Sequence, residues 1–335
     1  MDAAAYNTGQ IIMESKKMKA FVLKANGGIE NLVLSEVDIP EIKSDEVLIK
    51  ARAISINPVD TFARQNKNTV QAILKPKSDK EILILGWDVS GTIVEVGAGV
   101  KDFEIGNDVF GMVNFSGHGK AYAEYVAAPA NQIAIKPENI SHEEAAGATL
   151  TALTAWQALV NNAKVRKGDK VLIHAAAGGV GHYAVQIAKH FGAYVIGTAS
   201  AINCDFVKQL GADEFIDYTT EKFEERIKDA DIVLESQPGN DHLLRSVKAA
   251  KKGGRIISIK SSPESETLDL IKKKQLFFQR ILVRSNGEDM KEIAKLLNEK
   301  RVQSHISQKY EFMDLPKAHQ QIETGKTRGK IVVVL

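Results

Sequence analysis

Lys170-Val171-Leu172-Ile173-His174-Ala175-Ala176-Ala177-Gly178-Gly179-Val180-Gly181 is the stretch on which the reading of this chain turns. Branched apolar residues give way to small ones. From His182 to Phe191 the spacing becomes helical, and it stops at Gly192. This is a strand, a glycine-rich turn and a helix, the context a dinucleotide fingerprint requires. Small residues let the backbone bend tightly and approach a diphosphate. The helix behind them aims free N–H groups and a favourable dipole at the same phosphate. Gly181 lets the helix pack against the strand, whereas Ala176 stands where the general G-x-G-x-x-G pattern opens with glycine. Taken alone, the turn is also what many tight turns look like, so its surroundings must decide.

Downstream, strands alternate with helices. Tyr194–Gly197, Asp231–Glu235 and Arg255–Ile259 are strand-like, and Asp205–Leu210 is a short helix ended by Gly211. The alternation implies right-handed crossovers and a doubly wound parallel sheet with helices on both faces. An acid about 20 residues past the turn would hold the ribose hydroxyls of NAD. Gly197 to Asn203 contains no acid, which permits the 2′-phosphate of NADPH, although no Arg or Lys stands there either. NADPH is therefore favoured over NADH.

Upstream, Met18 to about Lys136 reads as short strands punctuated by Gly, Pro, Asn and Asp. Ser141 followed by Glu143 and Glu144 marks a helix start where the pattern changes. Gln65–Lys80 reads as a surface loop with one helical turn at Val70–Leu74. From Gly287 the tail reads helix, strand, helix, strand, and hints at packing on the first domain. Residues 1–17 read as a loose extension or an upstream start, with a targeting role as the alternative.

The chain has 335 residues, 44% hydrophobic and 26% charged, which fits two globular domains. A net charge of +2 gives no argument for nucleic acid or a membrane surface. Lys251-Lys252 and Lys272-Lys273-Lys274 are short runs, read as solvated faces. Cys204 is the only cysteine, so no internal disulfide forms and a reducing, cytoplasmic setting is expected. No run approaches the roughly 18 apolar residues of a membrane span.

Several stretches now fall into one order and spacing: Asn57-Pro58-Val59-Asp60, Gly86-Trp87-Asp88-Val89-Ser90-Gly91, Gly106-Asn107-Asp108-Val109, Ala121–Tyr125, Thr151–Trp156, the Ala176–Gly181 turn and Gly325–Val332. In these the chain, from Met18 to Leu335, resembles the medium-chain dehydrogenase/reductase superfamily, and within it the zinc-free quinone and enone oxidoreductases. The resemblance implies a GroES-like, partly barrel-shaped β domain from residues 18–140, completed by 285–335. A Rossmann domain from 141–284 is inserted between them, and the site lies in the cleft.

It also implies roles. Ala177, Gly178, Gly179 and Val180 would hold the diphosphate. Thr198, Ser200 and Tyr218 would surround the 2′-phosphate, with Asn203 where relatives often carry Lys. Asn57 and Thr154 would lie at the nicotinamide end, with Ser258 near it. Phe62 would line the substrate pocket where several relatives place a Tyr, and it cannot donate a proton. Zinc-binding relatives place a Cys at the position of Asn57 and a His at that of Trp87, so no metal is expected. His118, flanked by glycines, is a candidate for substrate contact. Glu235-Ser236-Gln237-Pro238-Gly239 departs from the relatives' Asp-(Ser/Thr)-Val-Gly-Gly.

Without a metal, an activated acceptor suits the site. A quinone or α,β-unsaturated carbonyl takes hydride at carbon and moves charge to oxygen, so alignment and oxyanion stabilisation suffice. Two alternatives stand beside it. One is an NADPH-binding protein with little catalysis, in a structural, regulatory or RNA-contacting role. The other is an enoyl-thioester reductase using Lys67, Lys75, Lys77 and Lys80 for a phosphate-bearing carrier. A homodimer through the sheet edge at Ile281-Leu282-Val283 is expected.

Overall fold

The computed structural model describes residues 17–78 and 81–335. Residues 1–16 of the expected extension lie outside these. Lys17 already belongs to a strand, pairing in register with Asp38.

The first domain contains β1 (Lys17–Leu23), β2 (Leu32–Asp38), β3 (Glu46–Ile56), α1 (Pro58–Gln65), α2 (Lys67–Ile73), β4 (Leu83–Ile84), β5 (Asp88–Val96), β6 (Asp108–Met112), β7 (Tyr125–Pro129) and β8 (Ile133–Ile135). Within the segment read as a loop, the single helical turn expected at Val70–Leu74 is a longer helix, α2, and residues 74–78 are turn and loop. The Asn66 side chain accepts from the backbone of Asn68 and Thr69 and starts α2, a cap that the polar composition concealed. After α3 (His142–Gly147) and α4 (Leu150–Trp156) come β9 (Lys170–Ile173), α5 (Gly179–His190), β10 (Tyr194–Ala199), α6 (Cys204–Gln209), β11 (Glu214–Asp217), α7 (Phe223–Arg226), β12 (Ala230–Glu235), α8 (Asn240–Ala249), β13 (Ala250–Ser258), α9 (Ser265–Lys273) and β14 (Phe277–Arg280). The tail forms α10 (Gly287–Asn298), β15 (Ile306–Glu311), α11 (Leu315–Glu323) and β16 (Lys330–Val334).

The Rossmann sheet has six strands in the order β11-β10-β9-β12-β13-β14, and every neighbouring pair is parallel. Strand order reverses at β9, so the glycine-rich turn leaves the sheet at its switch point, where a crevice opens. The sheet edge is β14, earlier than the expected Ile281–Val283. Phe277 is the pairing partner of Arg255 there, and Ile281 only adds a bond to Ser258 O. The polar Gln279 and Arg280 hid this strand from an apolar-run reading.

The tail joins the first domain. β16 pairs antiparallel with β3 from Ile331↔Ile56 to Val334↔Ala53, inside a seven-stranded, otherwise largely antiparallel sheet. This pairing carries Lys330 to the start of α1, beside the crevice.

Candidate functional site

The turn after β9 is built by backbone constraint. Ala175 takes a positive φ of 49°, and Gly178 N–H donates to its carbonyl at 2.8 Å. A Cβ on Gly181 would stand 2.1 Å from that same carbonyl oxygen, so only glycine lets α5 start here. Ala176 is accommodated from across the sheet. A Cβ on Gly197 would lie 2.9 Å from the Ala176 Cβ, so the missing side chain opposite makes room for the extra one. Gly178, Gly179 and Val180 remain partly exposed at the start of α5, where the first N–H groups of a helix lack intrahelical partners. Ala177 is buried, its carbonyl accepting from Gly329 N–H at 2.9 Å. A cradle that a Cβ would fill, facing a helix N-terminus, fits a dinucleotide diphosphate.

The adenosine end differs from its sequence reading. Ser200 and Tyr218 flank the end of β10, Tyr218 N–H reaching Ala199 O at 3.3 Å. Thr198 does not reach that place. It is buried, and its hydroxyl lies 3.2 Å from His174 Nδ1. Asn203, where a Lys was missed, is held by Arg328. The guanidinium donates to Asn203 Oδ1 at 2.8 Å and Ile202 O at 3.1 Å. Arg328 borders an open cavity of about 980 Å³ together with Ile202, Phe206 and His305. The cation absent from the loop therefore arrives from the tail, 125 residues away, and no local signal could have shown it.

At the start of α1, where the nicotinamide end is expected, lies a buried polar chain. Asn57 is fully buried, and both ends of its amide are taken. Oδ1 accepts from Lys330 Nζ at 2.5 Å and Nδ2 donates to Asp88 Oδ2 at 2.7 Å. Asn57 thus ties Lys330 to Asp88. Its backbone N–H donates to Asp60 Oδ2, which also accepts from Tyr122 OH at 2.9 Å, while Tyr122 OH lies 2.9 Å from His319 Nε2. Thr154 is spent similarly, its hydroxyl donating to Leu150 O at 2.7 Å. Ser258 is buried, donating to Ser261 O and accepting from Ser261 N–H, so it shapes the turn after β13.

Asp60 is wholly buried, and its Oδ1 has no partner. Burial, opposed in part by the Asn57 N–H bond, pushes its pKa up to about 7. The folded state thus holds this proton more tightly than the unfolded chain, and stability drains away as pH rises from about 4 towards 7. Asp60→Asn keeps an acceptor for both donors and removes the buried charge. Its melting temperature relative to wild type should rise from about pH 4 to about pH 7 and level off above that. A constant difference across that range would refute the assignment.

The two positions where zinc-binding relatives were expected to place ligands hold Asn57 and Trp87. Neither Asn57 nor the buried Trp87, whose indole N–H donates to Gly117 O, offers a free ligand atom. Among the described residues, His174, Glu235 and His242 form the one group of three potential metal donors. Nothing in their sequence spacing signals this convergence. Hydrogen bonds satisfy the group without an ion. Glu235 Oε2 accepts from Ser246 at 2.6 Å and meets His242 Nδ1 at 2.8 Å, and His174 Nε2 lies 3.0 Å from Ser246 Oγ. Burial lowers the His174 pKa to about 4, which keeps it neutral. His118 faces Glu81 at 3.6 Å. Lys67, Lys75 and Lys77 are exposed on and after α2, and Lys80 lies outside the described residues.

Across the cleft from the turn after β13, Phe62 projects from α1 and is half exposed. Lys260 reaches over it from the Rossmann side, with Nζ 5.2 Å from the ring centroid.

Two family models match the chain: the alcohol dehydrogenase GroES-like domain over residues 43–138 and a zinc-binding dehydrogenase domain over residues 210–333. The chain is 33% identical to the NADPH-dependent alkenal/one oxidoreductase, chloroplastic, of Arabidopsis thaliana, over 99% of this chain and 83% of that protein. It is 34% identical to the 2-methylene-furan-3-one reductase of Solanum lycopersicum, over 99% of this chain and 82% of the relative. The solved quinone oxidoreductase from Coxiella burnetii superposes with a TM-score of 0.87 at 36% identity, covering 96% of this chain and 100% of that one.

Proposed function

Because this chain belongs to the medium-chain dehydrogenase/reductase superfamily, in its quinone oxidoreductase group, we propose that it reduces quinones or α,β-unsaturated carbonyls with NADPH and without zinc. The observation that carries this reading is the glycine-rich turn at the switch point, facing a cleft whose two zinc positions hold Asn57 and Trp87. Bound NADPH would supply the hydride. The free N–H groups of Gly179 and Val180 would hold its diphosphate, with Gly178 turning the backbone beneath it. Ser200, Tyr218 and Arg328 would hold the 2′-phosphate, with Asn203 fixing the guanidinium. The buried Asn57–Asp88–Lys330 chain keeps α1 and the phosphate turn in register, so the acceptor meets a fixed nicotinamide face. Such alignment and exclusion of water are what hydride transfer to an activated acceptor needs.

A homodimer through the β14 edge, with Phe277 and Leu282 exposed beside it, belongs to the same proposal. So does a reducing, cytoplasmic setting, which the single cysteine supports. No described helix is long and apolar enough to cross a membrane.

Fluorescence titration with NADPH and NADH, followed by 1,4-benzoquinone and a 2-alkenal, tests the reading. Preferential NADPH binding with oxidation on adding acceptor is expected. Arg328→Ala should weaken NADPH roughly tenfold or more, as loss of a charged hydrogen bond implies, and leave NADH unchanged. Equal weakening of both would place Arg328 away from the 2′-phosphate. No dinucleotide binding by the wild type would end the proposal.

A further inference from the structure

Lys260 has no place in the machinery described so far. It follows Ser258 past the end of β13, at the same carboxyl-terminal end of the sheet as the phosphate turn after β9. Its backbone is fixed. The N–H reaches Ser258 Oγ at 3.4 Å, and the carbonyl accepts from Arg280 Nε at 3.2 Å. The side chain crosses to the other domain and lays its ammonium over Phe62.

Three features set this lysine apart. Among the described residues its ammonium has no ion pair, only the face of a half-exposed ring. The residue is open to solvent, yet surrounding protein pulls its pKa below the usual lysine value, with no neighbouring charge contributing. Its ammonium also bridges the two domains, running from the end of β13 to the ring on α1. The aromatic ring holds it weakly, as cations on exposed rings are held. An unpaired cation in the cleft between the hydride-donor side and α1 suits an anionic oxygen.

We propose that Lys260 is the electrophile of this site, stabilising and protonating the carbonyl oxygen of the bound quinone or enone. The inference rests on the reductase reading above. The acceptor carbon gains a hydrogen with its bonding pair from the reduced nicotinamide, which is thereby oxidised. The displaced π pair moves to the carbonyl oxygen. That oxygen takes a proton from Lys260 Nζ, and solvent returns a proton to the amine. Lys260 thus supplies, from the opposite wall, the proton that Phe62 cannot give.

Lys260→Met, Lys260→Arg and wild type should be compared with a 2-alkenal and with 1,4-benzoquinone. Lys260→Met should lower kcat for the alkenal about a hundredfold, the usual scale for a lost acid or oxyanion donor. The loss should be smaller for benzoquinone, whose reduced oxygen is a weaker base. Lys260→Arg, charged but unable to give up its proton, should recover part of the loss. NADPH affinity should stay unchanged in both variants. As a readout apart from turnover, 4-nitrophenolate should bind the wild-type protein with NADP⁺ at least about tenfold more tightly than Lys260→Met, the scale of a charge-assisted bond. Unchanged alkenal turnover in Lys260→Met, equal nitrophenolate binding, or a loss of NADPH affinity matching the loss of activity overturns the proposal. A wild type that reduces no acceptor defeats the reductase reading itself, a result distinct from an active Lys260→Met.

Discussion

Lys330→Met should unfold in urea at pH 7 with a loss of about 3–5 kcal/mol, the cost of stripping one partner from a buried charge cluster. Lys330 is buried, and its Nζ donates to Asn57 Oδ1 and to Ile56 O at 3.2 Å. Through the Asn57 amide it is tied to Asp88, also fully buried. Burial lowers the lysine pKa and raises that of Asp88, while their mutual attraction opposes both shifts. Methionine fills most of the volume, so packing loss is small. What it cannot do is compensate Asp88 and Asp60, which lose their nearby cation together. The sign of the pH effect follows. With Lys330 gone, both carboxyls hold protons more tightly in the folded state, so the variant should recover towards wild type as pH falls and they become neutral. Asp88→Asn added to Lys330→Met should restore part of the stability. A single variant within about 1 kcal/mol of wild type at pH 7 would show that the cluster is not charged as described.

Gly181→Ala should damage both stability and dinucleotide binding, whereas Gly178→Ala should damage binding alone. A helix interior normally gains about 1 kcal/mol from this exchange. At Gly181 the new Cβ would meet Ala175 O at 2.1 Å and Ala176 Cα at 2.7 Å, and backbone cannot swing aside as a side chain can. Overpacking, typically 1–3 kcal/mol or more, therefore outweighs propensity. Displacing α5 from β9 also moves the phosphate cradle. At Gly178 the nearest atom is 3.3 Å away and φ is −83°, so alanine fits the fold with little adjustment. Its methyl group would occupy space that the diphosphate needs. Melting curves and NADPH fluorescence titrations separate the two. A Gly181→Ala protein that melts and binds like wild type would refute the packing account.

Local physics made much of the chain legible. Branched apolar runs, the Ser141 cap with Glu144 and the Ala176–Gly181 turn each signal through neighbours a few residues apart. They specify a parallel sheet, its switch point and a dinucleotide cradle. The resemblance carried by the spaced motifs added the GroES-like domain. Where local signals were weak, the reading slipped. The Asn66 cap hid in a polar run, and β14 hid behind Gln279 and Arg280.

The side-chain roles depended on convergence from far along the chain. Lys330 meets Asn57 across 273 positions, Arg328 meets Asn203 across 125, and His174 joins Ser246 across 72. Each pairing redirects a group that looked free in sequence. Asn57 and Thr198 turned out to be engaged by buried partners, and the cation missing beside Asn203 came from the tail. The sequence by itself determined the elements and the cofactor turn, because periodicity and turn chemistry act between near neighbours. Only the tertiary structure decided which polar groups remain free for chemistry, because a hydrogen bond depends on distance in space, and β16 pairing with β3 sets that distance.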